Sequence, residues 1–584
     1  MDCVNTFKTW ISSTWSRNNL GFLLTLYLLT FCQFRLFSHE VDQSLNLMML
    51  LTSLFDSALI VFPFIFFAPK RGWWFYIWSG FWTIIMIING AYRRNFDDTA
   101  NLRTIFDYHN FNSFVISSGI DSLTWRSLVI LLLWAASLGL WIVLCRRSKL
   151  SAFTRRFRWI CTIVLSLGFV AVHAARIMKF QTLSVCIKQP ESVGEAINAY
   201  ACHGAWKANV DRMFFQGLVE SYILELVNWP SEKINLSDDE KAAIRSRLAR
   251  PLGDKVRPVP DGKGKNLILI VVESWANVSI GEKINGRSLT PTIDSILKRD
   301  DVIFASNLHT SCMVGTSSSG QFNILTGLLP LQDAPVTDRY SKLDYPSIPK
   351  ALGSKYRSEE FIGETQSAWK QYETFSSYGF SEIYDNLIQA EGESVDDAIF
   401  KSSMQRIKEM SRPFFAMVTT LGMHGPFSKP SPEFRKSGFT DDENAYLEQV
   451  SNFDTALGTF LKQLRDAGLD ENTVIVMTAD HKPRKRMQSF SEADPEALPL
   501  IIIPAKQTDY QGFRFDTKMP QTVVYPTILD IMGVLEDYPY KGLGTSLFRV
   551  PTEKESELYP TSEVDWETSR KIIKGNYFPF KTTY

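Results

Sequence analysis

Residues 266–275 read Asn-Leu-Ile-Leu-Ile-Val-Val-Glu-Ser-Trp. The aliphatic run Leu267–Val272 has no polar alternation and fits a strand buried on both faces. Comparable runs follow at Pro413–Thr420, Thr473–Thr478 and Leu498–Ile503, with amphipathic helices near 394–410 and 443–466. This alternation predicts an α/β domain with a largely parallel sheet covered by helices. Ligands in such sheets bind beyond the carboxyl ends of the strands. The polar residues that close each run are therefore the candidates for chemistry.

Glu273 directly follows the first run, and Asp480 and His481 directly follow Thr473–Thr478 and Ala479. Taken singly, each reads as readily as a cap or a surface residue. As a set at one sheet edge, two carboxylates and an imidazole suit one divalent ion, Mn²⁺ or Zn²⁺, with a position left open. A hydroxyl run, Gly315-Thr316-Ser317-Ser318-Ser319-Gly320-Gln321-Phe322, leads into Asn-Ile-Leu-Thr-Gly-Leu-Leu-Pro. At the start of a helix it offers either an ordinary cap or an oxygen nucleophile beside free N–H groups. Serine is a weak nucleophile at neutral pH, and a nearby cation activates it, so the two proposals support each other.

The chain before this domain is different in kind. About 20 apolar helical residues cross a roughly 30 Å hydrocarbon core. Five stretches qualify, near 19–38, 46–68, 73–91, 127–145 and 159–177. Lys8, Arg17, Lys70, Arg71 and the group from Arg146 to Arg158 fall on one side, which the positive-inside rule makes cytoplasmic. Arg93, Arg94, Arg103 and Arg126 on the other side weaken the bias without reversing it. An odd number of spans then sends everything after residue 180 outside the cytoplasm. Asp56 lies inside the second span, where a carboxylate is costly; Arg35 is a candidate ion-pair partner. Cys186 and Cys202 are a plausible disulfide in an oxidising compartment, leaving Cys312 single.

The expected organisation is a five-helix transmembrane domain over 1–180, a helical connector over 181–262 and the α/β domain over 263–584. Ser237-Asp238-Asp239-Glu240 is a capping-box pattern that opens a short helix ending before Pro251. With 62 Lys+Arg against 62 Asp+Glu, the chain lacks the basic excess of a nucleic-acid binder. Its 45% hydrophobic content also excludes a disordered chain.

In this order, Val-Val-Glu-Ser, the hydroxyl loop ending in Thr-Gly-Leu-Leu-Pro, His424-Gly-Pro-Phe and Ala-Asp-His resemble the alkaline phosphatase/sulfatase superfamily. Five spans before such a domain narrow the resemblance to the lipoteichoic acid synthase-like phosphoglycerol transferases and their phosphoethanolamine transferase relatives. The resemblance covers nearly the whole chain and extends to residues 498–504 and 525–530. It implies that Glu273, Asp480 and His481 are metal ligands, with the nucleophilic Ser317 as a further ligand of the same ion. The family nucleophile stands thirteen residues before the closing Pro and two after a Gly, which selects Ser317 between Gly315 and Pro330; Thr316 is the alternative. His424 matches a histidine that contacts the substrate phosphate and assists proton transfer, and Trp369 matches a tryptophan of the headgroup pocket. Gln371 stands where the synthase pattern has arginine and Ile362 where it has histidine, so a phosphate-binding cation is missing. Lys482-Pro483-Arg484-Lys485-Arg486 is an unusual basic run beside the site, either a solvated loop or an attraction for anionic substrate. A sulfatase would need Pro and Arg two and four residues after the nucleophile; those positions are Ser319 and Gln321.

The implied function is a metal-dependent transferase of the bacterial inner membrane with an extracytoplasmic catalytic domain. It would move a phosphoglycerol-type headgroup from a membrane phospholipid donor to a glycan, polymer or lipid acceptor through a Ser317 ester. The alternatives are phosphoethanolamine transfer and an inactive lipid- or glycan-binding relative.

Overall fold

The structure is a computed structural model. It describes residues 17–41, 47–67, 71–96, 98–106, 116, 119–120, 122–147, 150–180, 190–201, 209–228, 234–312, 316–332, 334–390, 392–425, 427–483, 489, 496–506 and 510–578. Cys186, Cys202 and the basic residues 484–486 lie outside them. The described residues form two compact units, one of 17–106 and 116–228 and one of 234–578.

Five helices in the first unit are long and apolar enough to cross a membrane: Asn19–Val41, Met49–Phe66, Trp73–Arg94, Trp125–Arg146 and Arg155–Phe180. They match the five expected spans. Polar side chains tie them together where apolar packing gives little specificity. Gln33 donates to the Ile130 carbonyl (2.8 Å) and the Trp134 indole N–H to Ser79 Oγ (3.1 Å). Two further helices, Asn209–Gln216 and Leu218–Asn228, are joined at Gly217 and pack onto the second span. Gly217 has φ +88°, and a Cβ there would sit 2.6 Å from the Asp56 carboxylate. Asp56 accepts the Leu218 N–H (2.7 Å), whereas Arg35 reaches Ser53 (3.5 Å), so the expected Arg35–Asp56 pair does not form. A backbone N–H at the start of the next helix answers Asp56 Oδ2 instead, while Oδ1 has no hydrogen-bond partner among the described residues.

In the second unit, the described residues hold one nine-stranded sheet. Its strands are β1 (Asn266–Val272), β2 (Ile303–His309), β3 (Arg357–Ile362), β4 (Glu382–Tyr384), β5 (Phe414–Thr419), β6 (Thr473–Ala479), β7 (Leu498–Ile503), β8 (Arg514–Phe515) and β9 (Met519–Pro520). The order is β8-β2-β7-β6-β1-β5-β3-β4, with β9 also paired to β2. β1 is central, parallel to β5 and β6, and buried over its whole length. β7 departs from the expected parallel arrangement, running antiparallel to both β6 and β2. The helices Val395–Ile407 and Asp441–Asp466 pack against each other, and both present buried faces.

β2 and β3 carry no clear signal in the sequence. β3 reads Arg-Ser-Glu-Glu-Phe-Ile, two adjacent acids inside a sheet. Burial is possible because each acid is answered. Arg406 holds Glu359 through two bonds (2.9 and 3.0 Å), and Thr419 Oγ1 donates to Glu360 (2.8 Å). The Ser237 capping box forms as the pattern predicts and opens the helix Asp238–Leu248.

Candidate active site

Register decides the site. Val272 pairs with Ala479, so the next residues along the two parallel strands, Glu273 and Asp480, emerge side by side at the carboxyl edge. Ser274 then adopts φ +51°, a left-handed conformation that costs a non-glycine residue energy. It is held there by its neighbours. Its N–H donates to Asp480 Oδ1 (2.9 Å), its hydroxyl to Glu273 Oε1 (2.9 Å), and its carbonyl accepts the Tyr446 hydroxyl (3.0 Å). The His481 N–H also donates to Asp480 Oδ1 (2.7 Å). His481 Nδ1 lies 2.6 Å from the Lys482 carbonyl, so Nδ1 carries the proton and the Nε2 lone pair faces the carboxylates.

Nε2 is 3.3 Å from Glu273 Oε1 and 3.6 Å from Asp480 Oδ2. One ligand atom from each of Glu273, Asp480 and His481 lies within 4.8 Å of the others, and all three side chains are buried. Among the described residues, Asp480 Oδ2 has no hydrogen-bond partner. Burial and the nearby Glu273 carboxylate push the Asp480 carboxyl above its usual range, and His481 only partly opposes them. Two buried carboxylates with an orphaned oxygen and an imidazole lone pair turned inward fit a divalent cation in donor type and number.

Ser317 is the second residue of the helix Thr316–Thr326. Its hydroxyl donates to Glu273 Oε2 (3.0 Å) and lies 3.2 Å from His481 Nε2. The Thr316 side chain lies outside the described residues. The helix can come this close because its second turn carries Gly320, packed on the Asp480 backbone. Gln521 holds that backbone from the other side, donating to the Ala479 and Asp480 carbonyls (2.8 and 2.9 Å). Glu273, Ser317, Asp480 and His481 are thus brought together.

Trp369 and Gln371 join Ser317 around a cleft of about 330 Å³ including its mouth, which Glu364 also lines. His424 is not among the described residues lining that cleft. It follows β5 at the same sheet edge, in a turn closed by its N–H on the Leu421 carbonyl (3.0 Å). Asp396 Oδ1 accepts the N–H groups of Leu421 (2.9 Å) and Gly422 (2.8 Å), fixing this turn. Ile362 ends β3, and its aliphatic side chain is buried. Sequence reasoning missed Ser274, Gly320, Glu364, Asp396 and Gln521. Of these, the Gly inside a hydroxyl-rich helix start was the one detectable signal, since an internal helical glycine is costly without a packing reason.

Comparison with known proteins gives the same assignment for both parts of the chain. Residues 7–190 match the lipoteichoic acid synthase N-terminal domain, and residues 265–534 match the sulfatase domain. Lipoteichoic acid synthase of Staphylococcus aureus (strain NCTC 8325) is 24% identical over 617 aligned positions, covering 95% of this chain and 91% of its own. Among solved structures, the lipoteichoic acid synthase LtaP from Listeria monocytogenes covers 58% of this chain and 97% of its own, at 18% identity and a TM-score of 0.47. The Streptococcus pyogenes phosphoglycerol transferase GacH covers 59% and 94%, at 15% identity and a TM-score of 0.42. With both domains present in this order, the chain belongs to the lipoteichoic acid synthase-like family of membrane transferases in the alkaline phosphatase/sulfatase superfamily.

Proposed function

We propose that the chain moves a small phosphoryl headgroup, of the phosphoglycerol or phosphoethanolamine kind, from a membrane phospholipid to a hydroxyl of an envelope glycan, polymer or lipid. The observation that carries this reading is the Ser317 hydroxyl, hydrogen-bonded to Glu273 and 3.2 Å from His481 Nε2 at a helix start. The name of the S. aureus relative supports the same kind of substrate.

In the first step, Ser317 Oγ attacks the phosphodiester phosphorus. The Oγ–P bond forms as the bond from phosphorus to the diacylglycerol oxygen breaks. The serine proton passes towards Glu273 Oε2, which already accepts its hydrogen bond. The departing diacylglycerol oxygen takes a proton, for which His424 is the candidate donor. In the second step an acceptor hydroxyl attacks phosphorus as its proton passes to His424, replacing the one donated, while the Oγ–P bond breaks and Ser317 takes its proton back from Glu273. Glu273, Asp480 and His481 would hold one divalent ion, Mn²⁺ or Zn²⁺. When bound, it supplies the positive charge that favours the ionised serine and offsets charge on the phosphoryl oxygens. The first helix turn adds a partial positive charge of the same sign.

The reading assigns 1–180 to membrane spans, 181–262 to a connector and 263–584 to a catalytic domain outside the cytoplasm of a bacterial inner membrane. The Lys and Arg positions support that orientation. Intact-mass spectrometry of the full-length protein, incubated with phospholipid vesicles, tests the mechanism. A headgroup adduct on Ser317 with release of diacylglycerol is expected. Wild-type transfer by a Ser317→Ala variant would sink it.

A further inference from the structure

We propose that Gln321 is a substrate-binding residue whose side-chain amide N–H donates to a non-bridging oxygen of the phosphoryl group on Ser317; this rests on the Ser317 transfer reading above. Gln321 follows Ser317 by four residues in the helix Thr316–Thr326. Residues at that spacing share a helix face, with Cβ atoms roughly 5–6 Å apart. Helical side chains also lean towards the N-terminus, so the Gln321 side chain leans towards Ser317. Both residues line the same cleft, so their shared face is the open one. A sulfatase needs arginine at this place, four residues after its nucleophile; here a neutral donor stands instead of a cation.

The other polar side chains of the cleft have bonds to make elsewhere. Ser317 donates to Glu273 (3.0 Å), Thr337 to Ser318 (3.4 Å), Gln371 to Glu364, and Thr374 to the Lys370 carbonyl (2.9 Å). The Gln321 side chain makes no hydrogen bond among the described residues, although it is only 9% exposed. The Tyr378 hydroxyl also lacks a partner there, but it is sealed from solvent, whereas both amide atoms of Gln321 stay open to the cleft. Polar groups on side chains this buried are nearly always paired, so one left open beside a nucleophile marks a place for a ligand atom. While the ester exists, phosphorus is bonded to Ser317 Oγ, and its non-bridging oxygens are the substrate atoms closest to that oxygen. They are acceptors only, so the N–H end of the amide is the end that serves them. Negative charge on these oxygens is what a fixed donor stabilises during transfer. The phosphodiester is common to every phospholipid donor, so this contact is indifferent to the headgroup.

The test offers the full-length protein, supplied with Mn²⁺, vesicles of equal parts phosphatidylglycerol and phosphatidylethanolamine. The rate of Ser317 adduct formation is read against lipid concentration. Gln321→Ala is expected to lower the rate at saturating lipid about 100-fold, the usual cost of one lost oxyanion donor. The half-saturating concentration should move by less than about three-fold, because the bond matters most in the transition state. Gln321→Glu keeps the shape of the side chain. At pH 8 its carboxylate repels the phosphoryl oxygens, and its rate is expected to fall below that of the Ala variant. As pH drops towards the glutamate range near about 4.3, the acid regains an O–H donor. Its deficit, relative to the wild type at the same pH, should then narrow at least about ten-fold. Wild-type rates in either variant at pH 8 overturn the inference and leave Ser317 transfer standing. A Glu deficit that does not change with pH also overturns it, since a packing defect does not titrate. No adduct in the wild type overturns the transfer reading itself, and this inference with it.

Discussion

Gly320 lies against the Asp480 carbonyl so closely that a Cβ at residue 320 would stand 2.1 Å from that oxygen. Real Cβ atoms do not approach backbone oxygen at this distance, so any side chain there must push the helix Thr316–Thr326 away from β6. The same helix carries Ser317 to Glu273 and His481. Gly320→Ala is therefore expected to reduce transfer about 100-fold, the cost of displacing a reacting group by about 1 Å. Bound metal should remain, because its three ligands lie on other elements. Steady-state transfer measured beside elemental analysis of the purified variant checks both halves.

The buried carboxylates Glu273 and Asp480 repel each other when no cation separates them. Removing the metal with a chelator should abolish transfer and lower the melting temperature, and Mn²⁺ or Zn²⁺ should restore both. Asp480→Asn should bind less metal while keeping the fold, because the Asn carbonyl can still accept the Ser274 and His481 N–H groups. Metal content and circular dichroism of that variant are the measurements. Full metal occupancy in Asp480→Asn would contradict the ligand assignment.

Glu360 is buried inside the sheet, with Thr419 donating to Oε1 and no partner for Oε2 among the described residues. Burial raises its carboxyl well above the usual glutamate range, with the Thr419 bond opposing only in part. The folded chain thus keeps a proton that the unfolded chain releases above pH about 4.5. Its contribution to stability is full below that value and is lost as pH rises towards the folded value. Glu360→Gln mimics the neutral acid. It should match the wild type near pH 4.5 and exceed it by at least about 1 kcal/mol at pH 8, since one pKa unit is about 1.4 kcal/mol. Thermal unfolding at the two pH values reads the difference.

Asp396 presents one carboxylate oxygen to the N–H groups of Leu421 and Gly422, two and three residues before His424. Asp396→Ala leaves both donors without this acceptor, at about 1–3 kcal/mol for each one that stays buried. Faster amide exchange over 420–424 and reduced transfer are expected. Asp396→Asn, which retains the acceptor oxygen, should restore most of both. A loss in the Ala variant that the Asn variant does not relieve would count against a positioning role.

Much of this architecture was legible in the chain order. Twenty-residue apolar runs have few alternatives to spanning a membrane, so five spans could be read from composition alone. Leu267–Val272 and Thr473–Thr478 announced buried strands, and Glu273, Asp480 and His481 stood at their ends. β3 was hidden because Glu359 and Glu360 look unfit for a sheet until Arg406 and Thr419 are in place. Arg35, towards the end of the first span, was the cation expected to pair with Asp56, but the Leu218 N–H, 162 residues away, reaches the carboxylate.

The sequence by itself therefore determined the two-part organisation, the superfamily and the acids and imidazole available for a metal. Those follow from local periodicity and from which residue types end which runs. Only the tertiary structure decided that Ser317 meets Glu273, that Gly320 is what permits it, and that Glu364 shares the cleft with Trp369 and Gln371. Such relationships depend on the β1–β6 register and on contacts between residues far apart in sequence, and no local pattern encodes those distances.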